Sequence, residues 1–232
     1  MDPEFWHERW TRGEIGFHQH DFNAHMQAFT DRLGMGPGDH VFVPLCGKSL
    51  DLLWLLRRGY RVTGIEINRQ AVRDFFSENR IEPRIAEIPG GELFQAGDLA
   101  VFRADFFASD FPGMPAIDAV YDRAALVALP PDMREAYAAR MLGLVAPGVR
   151  TLLVTLDYPQ QEMRGPPFAV TLEEVRTLYG EKCRLETLHS EDCLEREPRF
   201  RKKGLTRLTE HVLLLERKPD RGEPGNARMA EF

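Results

Sequence analysis

The sequence predicts an α/β protein built on a doubly wound, mainly parallel sheet. From His40 onward, short apolar strands alternate with helical segments, which is the pattern of βαβ units. The continuous apolar run at 149–156 is typical of a central parallel strand, because such strands are buried on both faces. Two late strands, near 184–189 and 208–216, predict an antiparallel edge at the C-terminal end of the sheet.

The first βα units are predicted from local capping signals. A strand at 41–43 leads through a tight turn into a helix at 49–58, which Gly59 ends as a left-handed C-cap. A second strand at 61–67 follows, and Asn68 is a suitable N-cap for the next helix. The inward side chains of the first helix are expected to be Leu50, Leu53, Trp54 and Leu56.

The later elements continue this alternation. Gly90-Gly91 predicts a hairpin-like turn, and a third strand is expected at 99–104. A fourth strand at 117–121 precedes a long helix at 132–145, which Pro147-Gly148 breaks before the central strand.

Length and charge restrict the class of protein. The 232 residues are 43% hydrophobic and 28% charged, the balance of a globular protein, and we expect one domain over 1–218 with a disordered polar tail at 219–232. The net charge of −6 argues against a nucleic-acid or membrane-surface partner. No stretch reaches the ~18 apolar residues of a membrane span, and the acidic N-terminus lacks the features of a signal peptide.

Cysteine and histidine usage argues against disulfides and metal. Cys46, Cys183 and Cys193 form neither an even disulfide framework nor a CxxC zinc pattern, and Cys46 is expected to be a small, buried turn residue. His18-Gln19-His20 stands without a nearby cysteine or a carboxylate-rich strand, so we expect no metal. These features predict a reduced, cytoplasmic monomer that acts on a small molecule.

The loop after the first strand could bind a nucleoside. Gly47-Lys48-Ser49 resembles the end of a phosphate-binding loop, but Phe42 stands where that motif needs its first glycine. The three spaced glycines of a dinucleotide fingerprint are also missing, which disfavours a pyrophosphate-bearing cofactor. Gly47 either marks an ordinary tight turn or lets the backbone approach a nucleoside without phosphates.

Glu66 closes the second strand, nineteen residues after Gly47. An acid at this spacing and at a strand end accepts hydrogen bonds from ribose hydroxyls. The alternative is a solvated acid at the edge of a turn. Together with the loop, Glu66 favours a nucleoside cofactor such as S-adenosylmethionine.

Asp122-Arg123 follows the fourth predicted strand. Asp122 is a candidate N-cap for the segment that comes next. Arg123 would oppose the helix dipole there, so an anion should compensate it. That anion is either a carboxylate of the protein or the carboxylate of a ligand, which guanidinium binds bidentately.

Two further segments could border a pocket. Trp10 and Phe17 either pack an N-terminal helix or belong to a lid of about 35 residues that excludes water and stabilises a sulfonium by cation–π attraction. The basic run 196–203 is expected to be a solvated loop, from which Arg199 or Arg201 could reach an anionic substrate.

These motifs resemble those of the thiopurine S-methyltransferase family, its bacterial branch in particular, over about residues 5–218. The matching blocks are Phe5-Trp6 with Trp10, Gly13 and Gly16-Phe17, then Val43-Pro44-Leu45-Cys46-Gly47-Lys48-Ser49-Leu50-Asp51, Gly64-Ile65-Glu66, Asp122-Arg123-Ala124-Ala125-Leu126 and Gly165-Pro166-Pro167-Phe168. The resemblance implies a class I methyltransferase (Rossmann-like) fold and transfer of the methyl group of S-adenosylmethionine to the sulfur of thiopurines and other aromatic or heterocyclic thiols. It also associates bacterial members with the methylation of selenium and tellurium compounds.

The resemblance also assigns site residues. The cofactor contacts it implies are Trp10, Leu45, Glu66 and Arg123, with Ala104 and Asp105 beside the adenine. Phe17 and Arg123 would border the acceptor pocket and position the substrate, with Arg199 a further candidate there. No acid–base residue is expected, because a heteroaromatic thiol is already acidic and positioning alone can supply up to roughly 7–11 kcal/mol.

Overall fold

The computed structural model describes residues 3–16 and 18–220. Seven helices lie within them: α1 (Pro3–Thr11), α2 (Ala24–Phe29), α3 (Asp51–Arg57), α4 (Arg69–Glu78), α5 (Pro131–Leu144), α6 (Leu172–Tyr179) and α7 (Pro198–Lys202). Nine strands lie there too: β1 (His40–Val43), β2 (Arg61–Glu66), β3 (Arg84–Ile88), β4 (Gly91–Ala96), β5 (Leu99–Arg103), β6 (Ala119–Arg123), β7 (Arg150–Asp157), β8 (Cys183–Asp192) and β9 (Thr209–Arg217). The prediction of a disordered tail at 219–232 lies almost entirely outside the described residues.

The strands form one mixed sheet in the order β3-β4-β5-β2-β1-β6-β7-β9-β8. The five central strands, from β5 to β7, are mutually parallel, and β8 and β9 add an antiparallel edge. The predicted doubly wound sheet with its antiparallel C-terminal edge is therefore confirmed. At the opposite edge β3 and β4 pair as an antiparallel hairpin, which confirms the hairpin-like turn predicted at Gly90-Gly91, although its two strands were not predicted.

Helix α3 presents a different face to the core from the one predicted. Its most buried side chains are Asp51, Leu52 and Leu55, whereas the four residues expected to point inward (Leu50, Leu53, Trp54 and Leu56) are half-buried. The reason is Asp51, whose carboxylate accepts hydrogen bonds from the Asn23 amide at 2.8 Å and the Tyr121 hydroxyl at 3.0 Å. These two bonds turn a polar residue inward.

Strand β6 lies two residues later than predicted, which corrects the interpretation of Asp122 and Arg123. Asp122 is not an N-cap: it is a buried strand residue that accepts a 2.7 Å hydrogen bond from the Tyr137 hydroxyl, and burial raises its pKa to about 6. Arg123 is the last residue of the strand and not the start of a helix. Ala124 turns the chain with φ +65°, before a 3₁₀ turn at Leu126–Ala128.

Apolar side chains cover both faces of the sheet. One core contains Val43, Val62 and Leu152, and the other contains Phe42, Ile65 and Leu153, so neighbouring residues on a strand alternate between the two. A third, smaller cluster surrounds Tyr158 and Phe200 at one end of the sheet. No helix within the described ranges is both long and apolar enough to cross a membrane.

We expect Gly64→Ala to destabilise the fold by roughly 1–3 kcal/mol, the usual cost of overpacking a core. A Cβ at Gly64 would lie 2.7 Å from Sγ of the buried Cys46, so strand β2 and the loop at 44–47 could no longer approach each other as closely. Urea unfolding measures the change. Adding Cys46→Ala should recover much of the loss, because it removes the clashing sulfur.

The matched control for this prediction is Gly143→Ala. A Cβ at Gly143 in α5 meets nothing within 4 Å, and alanine favours helix by roughly 0.5–1 kcal/mol, so this change should raise stability. Equal stability of Gly64→Ala and wild type would contradict the close approach of the loop.

Candidate functional site

A cavity of about 500 Å³ opens at the carboxyl ends of the parallel strands. This is where open α/β sheets bind ligands, at the point where strand order reverses. Its lining comes from the ends of β1, β2, β6 and β7, from β9, and from α1 and α7. The cavity therefore has one side over β1 and β2 and another over β7 and β9, with the end of β6 between them.

Glu66 lies on the first side and is almost fully buried. Its Oε2 accepts a hydrogen bond from the amide of Gly47 at 2.9 Å, and Oε1 accepts one from the amide of Asn68 at 2.8 Å. Burial raises its pKa to about 7, against the effect of these amides, which stabilise the charged form. The carboxylate thus ties the loop after β1 to the start of α4.

The loop after β1 has a strained backbone that places Leu45 on the cavity wall. Leu45 has φ +45° and Gly47 has φ +54°, and the amide of Cys46 donates to Ile65 O at 2.9 Å. Cys46 is a buried turn residue, as predicted, and burial raises the pKa of its thiol, with the nearby Glu66 carboxylate raising it further. This thiol stays protonated and is no nucleophile.

Arg123 lines the cavity between its two sides. No hydrogen bond or ion pair joins its guanidinium to any residue that the structure describes. Two other cations of the lining are paired: Lys48 Nζ donates to Glu78 at 2.7 and 3.0 Å, and Arg199 Nε donates to Glu197 at 2.9 Å. Arg9 and Lys203 also line the cavity, each with its cationic group over an aromatic ring, of Phe5 and Phe200 respectively. Arg123 was predicted to bind a carboxylate either of the protein or of a ligand. Because no described carboxylate of the protein binds its guanidinium, a ligand carboxylate could bind there without displacing one.

The N-terminal segment covers one wall of the cavity. Trp10 on α1 is 6% exposed and lines it, as does Trp6 one helical turn earlier. His7 Nδ1 lies 3.0 Å from the side-chain amide of Asn68, which joins α1 to the N-cap of α4. Phe17 lies outside the described residues, so its predicted place at the acceptor pocket stays a prediction.

His18 follows on this segment and faces the cavity. Burial lowers the pKa of His18, and the charge of Lys48 lowers it further. Its ring contacts that of His20 edge-on at 5.3 Å. Within the part of the chain that the structure describes, no three His, Cys, Asp or Glu side chains cluster as metal ligands would.

Two predicted cofactor residues do not line the cavity. Ala104 is buried next to Glu66, whose carbonyl accepts a hydrogen bond from the Ala104 amide at 3.1 Å. The Asp105 carboxylate accepts a 2.8 Å hydrogen bond from the amide of Phe107. Both follow β5, the neighbour of β2 in the sheet, and their predicted place beside the adenine stays a prediction.

The basic run 196–203 is not the predicted solvated loop, because it contains α7. Arg199 lines the cavity from this helix and lies over the ring of Phe200 at 4.7 Å. Arg201 instead forms a surface ion pair with Glu195 at 2.8 Å. Arg199 is therefore the better placed of the two candidates.

No motif in the sequence predicted the wall over β7 and β9. It consists of Val154, Leu156, Cys193, Phe200, Leu208 and Glu210. All are apolar or weakly polar except Glu210, a carboxylate near the start of β9. The available signal was an acid two residues after Leu208, just before the apolar run 212–215.

Solved structures identify the class of this fold. A Burkholderia thailandensis 1,6-didemethyltoxoflavin N1-methyltransferase, solved with S-adenosylhomocysteine, matches with a TM-score of 0.61 at 16% identity, over 94% of this chain and 87% of that one. A TehB-like S-adenosylmethionine-dependent methyltransferase from Corynebacterium glutamicum matches with a TM-score of 0.56 at 12% identity, over 93% and 98%. The fold is that of class I methyltransferases, as predicted.

Sequence relatives identify the family. The family model for thiopurine S-methyltransferase (TPMT) matches residues 1–218. The thiopurine S-methyltransferase of Azotobacter vinelandii is 45% identical over 94% of this chain and all of that one, and that of Pseudomonas fluorescens is 46% identical over 93% and 99%. The chain belongs to the thiopurine S-methyltransferase family, and its cofactor is S-adenosylmethionine.

Proposed function

We propose that this protein transfers the methyl group of S-adenosylmethionine to the sulfur atom of an aromatic or heterocyclic thiol. The observation that carries the proposal is Arg123, which lies between the two sides of one cavity and forms no ion pair with any residue that the structure describes. On one side lie Glu66 and the loop after β1, and on the other lies a largely apolar wall, which suits a flat aromatic ring. The family's thiopurine acceptors are of this kind.

The residues on the first side fit the cofactor. Glu66 can accept hydrogen bonds from ribose hydroxyls, and Leu45 and Trp10 offer apolar surface in the same cavity. Arg123 would bind the cofactor's carboxylate and also border the acceptor, with Ala104 and Asp105 beside the adenine. We propose Phe17 and Arg199 as acceptor contacts.

The protein's own contribution is binding, orientation and exclusion of water. When bound, S-adenosylmethionine supplies an electrophilic methyl group on a sulfonium. Trp6 and Trp10 cover the cavity and keep water from the acceptor sulfur. The thiols of Cys46 and Cys193 line the cavity but stay protonated, because burial raises the pKa of each. They do not compete with the acceptor as nucleophiles.

The decisive experiment measures transfer of labelled methyl from S-adenosylmethionine to 6-mercaptopurine, with a phenol and an amine of similar shape as controls. We expect labelling of the thiol alone. Labelling of the phenol or the amine instead would assign another acceptor class. Cofactor binding without labelling of any acceptor would indicate a nucleoside-binding regulator.

We also propose that the N-terminal segment of about 35 residues acts as a lid over the cavity, and that its part up to about Phe22 becomes ordered when the cofactor binds. Trp6 and Trp10 of that part line the cavity, and His7 Nδ1 lies 3.0 Å from the side-chain amide of Asn68, whereas Met26 and Leu33 are already buried in the core. Cofactor binding should therefore reduce proteolysis of the part up to about Phe22 at least several-fold. Equal cleavage rates with and without S-adenosylmethionine would contradict the lid.

We further propose a cytoplasmic monomer. The three cysteines are free and buried, which suits a reducing compartment. Sedimentation of the purified protein at several concentrations tests the monomer, and a concentration-dependent mass would contradict it.

A further inference from the structure

The acceptor side of the cavity contains a carboxylate that the proposed function leaves unused. Glu210 lies on β9 opposite Leu156 of β7, and its side chain lines the cavity with 23% exposure. Its Oε2 accepts a hydrogen bond from Nε2 of His25 at 2.7 Å. Among the described residues Oε1 has no hydrogen-bond partner, so one oxygen is available to a bound molecule.

Strand register places Glu210 across the cavity floor from Arg123. Arg123 pairs with Val154, and Glu210 pairs with Leu156, two residues farther along β7. Residues two apart share a face of a sheet, so all four side chains lie on the same face. Two strand spacings and two residues separate the Cα atoms of Arg123 and Glu210 by roughly 12 Å. A flat bicyclic ring placed over Val154 and Leu156 would therefore lie between the side chains of Arg123 and Glu210.

The surroundings of Glu210 favour a ring with one polar edge. Leu208, Phe200 and Cys193 make the adjoining wall apolar. In such a pocket, a single polar group that faces the ligand decides its orientation. Because an ionised carboxylate can only accept hydrogen bonds, it selects an N–H or O–H on the ligand.

We propose that Glu210 is a catalytic residue for acceptors that carry their proton on a ring nitrogen: Oε1 accepts a hydrogen bond from that N–H and takes its proton as the sulfur is methylated. This inference rests on the proposed thiol acceptor. A heteroaromatic thiol in its thione form has a C=S group conjugated with N–H. Methylation at sulfur makes that N–H strongly acidic, so the proton needs a base nearby.

The bonds and charges balance without a further reactant. The thione sulfur forms a bond to the methyl carbon, whose bond to the sulfonium breaks and leaves its electron pair on the departing thioether. The N–H electron pair moves into the ring as a C=N bond forms and C=S becomes a single C–S bond. The proton passes to Oε1 of Glu210, and water can remove it when the product leaves.

Several titratable groups surround Glu210, and the charge of each affects how proton transfer to its carboxylate depends on pH. They are His25 from α2, Tyr121 from β6, Glu191 opposite it on β8, Cys193 and Arg196 after β8, and Glu197, Arg199 and Lys203, which line the same cavity from the region of α7. The pKa values of Tyr121 and Cys193 are both raised by burial, so these two stay neutral near pH 7.

The test compares 6-mercaptopurine with 4-nitrothiophenol, a thiol without ring nitrogen. We expect Glu210→Gln to lower kcat/KM about 100-fold for 6-mercaptopurine, the scale of general-base catalysis, and to leave 4-nitrothiophenol nearly unchanged. The loss should disappear above the pKa of 6-mercaptopurine itself, because the N–H proton is then already gone. Glu210→Asp keeps the carboxylate and should recover part of the rate. If Glu210→Gln fails to fold, this second variant still tests the proposal.

The matched control is Glu186→Gln. Glu186 lies on the same β8–β9 hairpin and forms an exposed ion pair with Arg32, as Glu210 pairs with His25, but it lies on the surface away from the cavity. It should leave both acceptors unaffected. Equal losses for the two acceptors, or a loss that persists at high pH, would overturn the proposal and leave Glu210 a structural role. Wild type that methylates neither thiol would instead contradict the proposed function.

Discussion

Glu66→Ala should weaken S-adenosylmethionine binding by about 100-fold. Hydrogen bonds to a charged carboxylate contribute roughly 1.5–3 kcal/mol each, and the loss of the two from ribose hydroxyls amounts to about 3 kcal/mol. At 1.4 kcal/mol per factor of ten, that gives the expected ratio of Kd values. Isothermal titration with the cofactor measures it. An unchanged Kd would mean that Glu66 has no part in the cofactor site.

The same substitution should also lower the free energy of unfolding. Gly47 and Asn68 would lose the acceptor for their buried amides, at roughly 1–3 kcal/mol for each group left unsatisfied. Urea unfolding of the apoprotein separates this loss from the effect on binding. Glu87→Ala is the control, because Glu87 is an exposed glutamate on β3 that should affect neither quantity.

Cofactor affinity should rise with pH through the titration of Glu66. Burial raises its pKa from 4.5 to about 7, and ribose hydroxyls donate to the charged form, so affinity should increase about tenfold between pH 6 and pH 8. Stability has the opposite sign. The folded apoprotein binds this proton more tightly than the unfolded chain, so Glu66 lowers the free energy of unfolding as pH rises from about 4.5 to about 7. In Glu66→Ala, neither the cofactor affinity nor the free energy of unfolding should show these pH dependences.

The cofactor side of the site could be predicted from the sequence because its signals are local. Gly47 and Glu66 stand at the ends of adjacent parallel strands, and an αL glycine, an N-cap and an apolar strand are each recognisable within a few residues. The elements that were missed lack such signals. Strand β3 is an edge strand with four of five side chains exposed, so it shows no alternation.

The acceptor side depends on long-range register and could not be predicted in the same way. Leu156, Cys193 and Glu210 meet only because β9 pairs antiparallel with β7, and no local pattern specifies which residues face each other. The place of Asp122 was mispredicted for a related reason. A carboxylate usually ends a strand, but here the Tyr137 hydroxyl lets it continue inside the core.

Arg123→Ala should weaken S-adenosylmethionine binding by about 10- to 100-fold. A charge-assisted, bidentate pair between guanidinium and carboxylate contributes roughly 1.5–3 kcal/mol. No carboxylate of the described residues competes for this guanidinium, so the ligand's own carboxylate can take it without breaking an ion pair. Isothermal titration gives the Kd, and Arg123→Lys should recover only part of it because a lysine cannot bind bidentately.

Decarboxylated S-adenosylmethionine identifies which anion Arg123 binds. If the partner is the cofactor's carboxylate, this analogue should bind wild type and Arg123→Ala with nearly equal Kd, since the group that the arginine would bind is missing from both complexes. If Arg123→Ala instead binds S-adenosylmethionine normally but loses kcat/KM for thiols, the partner is the acceptor's anion. The arginine would then act on the acceptor side of the cavity together with Glu210, and the cofactor's carboxylate would need another cation. Lys48 also lines the cavity, but it already pairs with Glu78, so the cofactor would have to compete with that pair.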